Sequence, residues 1–299
     1  MTRKSYIQAK KLRKIILSGL CIAGLIFAAA GCGSKETSQQ DPVVSTSDSD
    51  SEISVTTESS VQEPEQNTEN NNANAATSSK NFLDARVDFA AQPGKPVGAT
   101  EQSEEKVVYL TLDDGPSENT QKVLDILDQY NCKATFFVTG EMPEYKDMIK
   151  VAYDKGHTIG LHTYSHTYSK VYASVDAYFE DLDQIGQMVK DEIGYVPCFI
   201  RFPGGSSNTV SAKYTSGIMS ELVKEVQDRG YQYYDWNASS GDGATKTTQE
   251  LIQQATSYHS NNLILLCHDA QAKDTTVEAL PSIIEYYQSQ GYVFKALDR

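Results

Sequence analysis

The sequence predicts an α/β protein built on a parallel sheet, preceded by a signal peptide and a disordered linker. Three observations predict it. From Glu105 onward, short β-branched and apolar runs alternate with longer stretches of helical period. Each helical stretch lies between two strand-like runs, the crossover that parallel pairing requires. Residues 35–80 show neither pattern.

The chain begins with the features of an export signal. Arg3, Lys4, Lys10, Lys11, Arg13 and Lys14 form a basic region without an acid, and Ile15 to Ala30 is apolar but short for a spanning helix. The apolar run ends in Ala29-Ala30-Gly31-Cys32, small residues before a cysteine. That pattern resembles a bacterial lipobox, with Ala29 where Leu is usual. The resemblance implies cleavage before Cys32 and a lipid on its sulfur. The alternative is an ordinary secretory signal cut nearby, and in either case residues 1–31 lie outside the fold. Residues 32–80 follow as Ser, Thr, Glu, Asn and Gln, too polar to bury enough surface to offset chain entropy. A flexible tether of roughly fifty residues spans about 40 Å, enough to lift a domain from a membrane into a cell wall.

Charge follows the same division. The whole chain carries −14; residues 1–31 hold six bases and no acid, and residues 33–80 two bases and nine acids, which leaves 81–299 at −13. An acidic domain is a poor nucleic-acid binder, because phosphate contacts need Lys and Arg. Of five cysteines, Cys21 leaves with the signal and Cys32 is the expected anchor. Cys132, Cys198 and Cys267 read as small buried apolar residues.

Residues 81–299 are long enough for one domain with a sizeable core, expected as a monomer. Strands are expected at 106–112, 134–138, 157–161, 199–202, 231–236, 263–267 and 292–296. Helices are expected at 119–130, 143–155, 174–193, 210–229, 248–258 and 275–290. Val123, Ile126, Leu127 and Tyr130 keep one helical face. Seven strands with six crossovers leave two architectures, an open doubly wound sheet or a barrel. Both place ligands at the carboxyl ends of strands.

The chemically suggestive residues fall at those ends. Asp113 and Asp114 follow the first strand, and Gly115-Pro116 stops it. Two adjacent carboxylates repel unless a cation or proton separates them. They can be one metal ligand and one proton acceptor, or an Asp-rich turn before a helix. His162 and His166 follow the third strand, Arg201 lies in the fourth, and His268 and Asp269 follow the sixth. A His pair four apart in a helical turn shares one face, a common transition-metal spacing. Thr163 stands where a zincin would carry its glutamate base, so the base must come from elsewhere, and the doubled Asp offers it. One Asp with two His supplies three ligands and leaves a position for water, the catalytic arrangement for zinc. Asp269 could hold a neighbour in place. No G-x-S-x-G, P-loop or G-x-G-x-x-G occurs.

These motifs, in order, resemble the polysaccharide deacetylase superfamily, the NodB-homology domain of carbohydrate esterase family 4. Thr111-Leu112-Asp113-Asp114-Gly115 is similar to its first motif and His162 to His166 to its second. Arg201-Phe202-Pro203-Gly204-Gly205, Asp235-Trp236 and Leu266-Cys267-His268 are similar to the third, fourth and fifth. The resemblance spans 106–299 and implies a distorted (β/α) barrel of about seven parallel strands. It implies Asp113 as catalytic base, Asp114, His162 and His166 as ligands of one divalent metal, and Arg201 as the residue that orients Asp113. It implies His268 as acid with Asp235 as its partner, and Trp236 and Leu266 as walls of the acetyl pocket. Zinc is the default ion, and cobalt, nickel or iron would accept the same donors. Gly204 stands where many members carry Tyr. Its backbone N–H could still meet an oxyanion, while a side chain shaping the sugar cleft is lost.

The expected function is therefore metal-dependent removal of N-acetyl groups from a cell-wall or surface glycan, with peptidoglycan N-acetylglucosamine foremost. The expected location is the outer face of a Gram-positive-type membrane, held by lipid. Rival readings are an O-acetyl xylan-type esterase, a non-catalytic wall-binding lipoprotein, and a glycosidase with two carboxylates across a cleft, for which a metal would be surplus.

Overall fold

In the computed structural model, residues 89–94 and 102–298 are described. The expected signal peptide, the Cys32 anchor and the tether at 32–80 lie outside them. The strands are β1 (Val107–Asp113), β2 (Ala134–Thr139), β3 (Thr158–Thr163), β4 (Phe199–Ile200), β5 (Gln232–Tyr233), β6 (Ala238–Ser239), β7 (Asn262–His268) and β8 (Val293–Phe294). The α-helices are α1 (Thr120–Gln129), α2 (Asp147–Asp154), α3 (Tyr168–Val171), α4 (Val175–Ile193), α5 (Ile218–Asp228), α6 (Thr248–Ala255) and α7 (Asp274–Ser289).

The sheet runs β5-β4-β3-β2-β1-β7-β6, with β8 beside the start of β1, and every ladder is parallel. Its two edge strands, β5 and β6, are joined by residues 234–237 alone. Five Cα steps reach at most about 19 Å. A flat sheet of seven strands would hold its edges about 29 Å apart. The sheet must therefore curl, and the architecture is the distorted barrel rather than an open sheet.

Alternation along the strands separates two apolar layers. Val108, Leu110 and Leu112 of β1, Phe136 and Val138 of β2, Ile159 and Leu161 of β3, and Leu263, Leu265 and Cys267 of β7 face outward into the core shared with the helices. Val107 and Tyr109, Phe137, Phe199, Tyr234 and Leu297 fill the lumen. Covered on both faces, β1 to β3 are buried at every position, and apart from threonines and the site residues Asp113 and His162 they are apolar or glycine. The outer helices supply the matching stripe. In α4, Phe179, Leu182, Ile185 and Val189 are buried, Ser174 caps the start through the Ala177 N–H, and Gly194 ends it at φ 90°.

The sequence reading departs most from the structure at two stretches, 231–236 and 210–229. The run expected at 231–236 is only two residues of strand, and a further strand, β6, follows it. The helix expected at 210–229 is a short 3₁₀ turn at Ser211–Lys213 and then α5. Cys132, Cys198 and Cys267 are buried, as their surroundings in the sequence suggested.

Candidate active site

The site is the polar continuation of the lumen. In β1 the inward positions are Val107, Tyr109, Thr111 and Asp113; in β7 they are Ile264, Leu266 and His268. The apolar residues come first and the reactive ones last, so the chemistry emerges at the carboxyl end of the barrel. Asp113 and His268 are register partners on adjacent strands. His268 thus comes from the strand that pairs with β1.

Just past β1, Asp114 turns at φ 69°, and past β3 His166 turns at φ 46°, conformations that cost a residue with a side chain. The turns bring Asp114 Oδ1 to 3.4 Å from both His162 Nε2 and His166 Nε2. That oxygen is buried and has no hydrogen-bond partner among the described residues. One ligand atom from each residue lies within 4.8 Å of the others. Tetrahedral bonds of about 2.0–2.1 Å set neighbouring ligand atoms about 3.3–3.4 Å apart, so the spacing suits a metal such as zinc. His162 Nδ1 meets the Arg201 carbonyl at 2.7 Å, so Nδ1 carries the proton and Nε2 keeps its lone pair. Burial lowers the His162 pKa despite the nearby carboxylates, which favours the neutral imidazole a metal needs. Burial opposes ionisation of Asp114 as well, but His162, His166 and His268 outweigh it and lower its pKa. The donor set fits a divalent ion.

Asp113 stays apart from that set. Its Oδ1 accepts Arg201 Nη1 at 2.8 Å, and its Oδ2 stands 3.9 Å from His162 Nε2. Arg201 is fully buried, a costly place for a guanidinium. Besides Asp113 it reaches the Thr111 hydroxyl at 2.7 Å and the carbonyls of Tyr234 at 2.9 Å and Asp235 at 3.2 Å, and it lies 4.4 Å from the Phe137 ring centre. Fixed from five sides, it fixes Asp113 in turn.

The partner of His268 differs from the expectation. Asp242 holds it, with Oδ1 2.8 Å from His268 Nδ1 and Oδ2 accepting the His268 backbone N–H at 2.7 Å and the Thr276 hydroxyl at 2.9 Å. Burial, the largest single influence on His268, opposes its charge. The Asp242 hydrogen bond and the pull of Asp242, Asp113 and Asp114 together overcome it and raise the pKa to about 9. Asp235 instead accepts the Ser206 N–H at 2.8 Å and the Ser206 hydroxyl, bracing the loop after β4. The reason is topological. Asp235 lies two residues past β5, at one edge of the sheet, whereas β6 pairs with β7 and its following loop carries Asp242 beside His268. The signal was present as Asp242 between two glycines, but a strand of only two residues hid the strand end that precedes it.

Of the remaining candidates, Trp236 stands 5.6 Å from the Arg201 guanidinium and would touch a β-carbon at Gly205 at 3.2 Å. Leu266 is 7 % exposed on the inner face, two positions before His268. Gly204 adopts φ 77°, and a β-carbon there would meet the Tyr168 hydroxyl at 2.5 Å, so a side chain at this position would be strained and would need Tyr168 to move. Asp269 lies under the Gly115 turn. It accepts the Thr120 hydroxyl at 2.6 Å, its carbonyl accepts the Ser117 hydroxyl at 2.5 Å, and its N–H donates to the Asp113 carbonyl at 3.2 Å. Burial pushes its carboxyl up to about 7, and these hydrogen bonds tie the loop after β1 to the end of β7. A β-carbon at Gly115 would come 2.4 Å from its carboxylate.

A parallel α/β barrel with two imidazoles and a carboxylate converging beside a second carboxylate and a His–Asp pair is the site of a hydrolase. Comparison with known proteins gives the family. The polysaccharide deacetylase model matches residues 100–234. A Bacillus cereus peptidoglycan N-acetylglucosamine deacetylase is 30 % identical over 204 residues, 64 % of this chain and 70 % of its own. The catalytic domain of the Eubacterium rectale peptidoglycan N-acetylglucosamine deacetylase is 44 % identical, with a TM-score of 0.65 over 68 % of this chain and 93 % of that one. A Streptococcus mutans family 4 carbohydrate esterase is 29 % identical, with a TM-score of 0.56 over 65 % and 87 %. The chain belongs to the polysaccharide deacetylase family, and an acetylated polysaccharide is the substrate class that family implies.

Proposed function

We propose that this chain is a metal-dependent N-deacetylase of peptidoglycan N-acetylglucosamine, lipid-anchored through Cys32 on the outer face of a Gram-positive-type membrane. The metal reading rests on one observation, the buried and otherwise unpartnered Asp114 oxygen 3.4 Å from two imidazole nitrogens. The glycan reading draws on the relatives, two of which are named for that substrate. Location rests on the lipobox-like end of the first segment and the polar tether.

Asp114, His162 and His166 would hold the ion, zinc by donor type. A divalent cation there supplies Lewis acidity, lowering the pKa of water and polarising the acetyl carbonyl. Asp113 takes the proton of the attacking water, held in place by Arg201. His268 gives its proton to the leaving nitrogen, and Asp242 keeps that proton available and the ring oriented. The Gly204 N–H and the wall formed by Trp236 and Leu266 confine the acetyl group. A glycosidase would have no use for the three-residue donor set or for the His–Asp pair.

The test is release of acetate from defined N-acetylglucosamine oligosaccharides and peptidoglycan fragments, with and without chelator. His162→Ala should lose stoichiometric metal and activity together. Release from acetyl-xylan alone would make the protein an O-acetyl esterase, and full metal content in His162→Ala would remove the donor set from the scheme.

A further inference from the structure

Three residues, Thr163-Tyr164-Ser165, separate the two histidines of the donor set. The chain must turn tightly there to aim both imidazoles at Asp114, and His166 ends the turn in the left-handed region. Strain of this kind persists only where the surroundings over-determine the backbone. Here they do so through one carboxylate. Asp181, on α4 and 7 % exposed, accepts the Tyr164 N–H at 2.6 Å and the Ser165 N–H at 3.0 Å through Oδ1. Its Oδ2 accepts the Ser165 hydroxyl at 2.6 Å. The Tyr164 carbonyl accepts the Gly140 N–H at 2.9 Å, and the Ser165 carbonyl accepts the Thr167 hydroxyl at 3.0 Å. All three hydrogen bonds found for the Asp181 side chain go to the segment between the ligands.

The two histidines depend on this clamp unequally. His162 belongs to β3 and is tied separately by its Nδ1 to the Arg201 carbonyl. His166 lies beyond the strand, its side chain 25 % exposed, with the His162 and Tyr168 rings as its aromatic neighbours among the described residues. Losing the carboxylate leaves two inward backbone N–H groups without their acceptor, and the turn relaxes to satisfy them. The strained end of that turn is His166.

We propose that Asp181 is a positioning residue of the metal centre, which locks the 163–166 turn so that His166 stands at ligand distance from Asp114 before an ion arrives. This rests on the reading of Asp114, His162 and His166 as metal ligands. Groups behind a ligand typically change metal affinity about 10–100-fold when removed.

The test uses the full chain, metal-free, titrated with Zn²⁺ against a chromogenic chelator and with Co²⁺ followed by visible absorption. The wild type should bind one ion. Asp181→Ala should bind Zn²⁺ about 10–100-fold more weakly, with a Co²⁺ spectrum changed in position or intensity as a ligand loosens. Ser165→Ala, which removes one bond of three, should weaken binding less, and Asp181→Asn should fall between. Thermal melts of the metal-free proteins establish that each is folded at the assay temperature; if Asp181→Ala is not, the other two carry the same readings. Folded variants with wild-type affinity and an unchanged Co²⁺ spectrum would reduce Asp181 to a brace of the fold and overturn the proposal alone. A wild type that binds no ion would overturn the metal reading and this inference with it.

Discussion

The sharpest consequence of the geometry concerns Asp242. Replacing it by Asn keeps the size of the side chain but removes the charge and the accepting oxygen at His268 Nδ1. With Asp242 present, the His268 pKa is raised from an ordinary 6.5 to about 9, a preference for the imidazolium of about 3 kcal/mol. Burial would remain in the variant, so the pKa should fall to about 6.5 or below. The sign follows directly. A proton donor is competent below its pKa and fails as pH rises through it. The wild type should therefore keep N-deacetylase activity up to a basic limb at about 9, or somewhat lower with a cation repelling the imidazolium. In Asp242→Asn the limb should move down by about two and a half units. At pH 7.5 only about a tenth of His268 would then be protonated. With the lost orientation added, kcat on an N-acetylated oligosaccharide should drop between about tenfold and 10⁴-fold. The assay is the pH dependence of acetate release, with an activated aryl acetate in parallel, since a phenolate leaves without a proton. The ester rate should fall much less than the amide rate. An unchanged basic limb in Asp242→Asn, or the same displacement in Asp235→Asn instead, would refute the assignment.

Further outcomes are expected elsewhere. Asp113→Asn should cripple hydrolysis of both amide and aryl ester while leaving the metal bound, which elemental analysis alongside the two rate assays would check. Arg201→Met would leave Asp113 buried without its counter-charge; truncating one member of such a pair costs about 3–5 kcal/mol, so denaturant melts should show a large loss of stability together with loss of activity. Cys32→Ser should move the protein from the membrane fraction to the soluble one; retention after a high-salt wash would remove the lipid anchor from the proposal.

Much of the site was legible because strand ends carry it. The apolar runs before Asp113 and His268 are long enough to be recognised, and period-two alternation then aims those residues at the same mouth. The His162–His166 spacing was equally plain. Where the strands shrink to two residues, as at β5 and β6, no periodicity exists to read. The expected partner of His268 fell there, on Asp235, and the fold replaced it with Asp242. Asp181 gave no signal either: it sits on an amphipathic helix 15 residues past His166, one acid among several, and only packing of α4 against β3 shows what it holds.

By itself, then, the order of apolar and polar residues determined an alternating α/β chain, a parallel sheet and the reactive ends of β1, β3, β4 and β7. Those properties depend on local period and on burial, which are written along the chain. The tertiary structure decided that the sheet curls, which strand stands beside which, and therefore which carboxylate meets which base. Pairings such as Arg201 with Asp113, Asp242 with His268 and Asp181 with the 163–166 turn join residues 88, 26 and 16–17 positions apart. Their contact is set by strand order and helix packing, and a hydrogen bond a few ångströms long is decided only when those are in place.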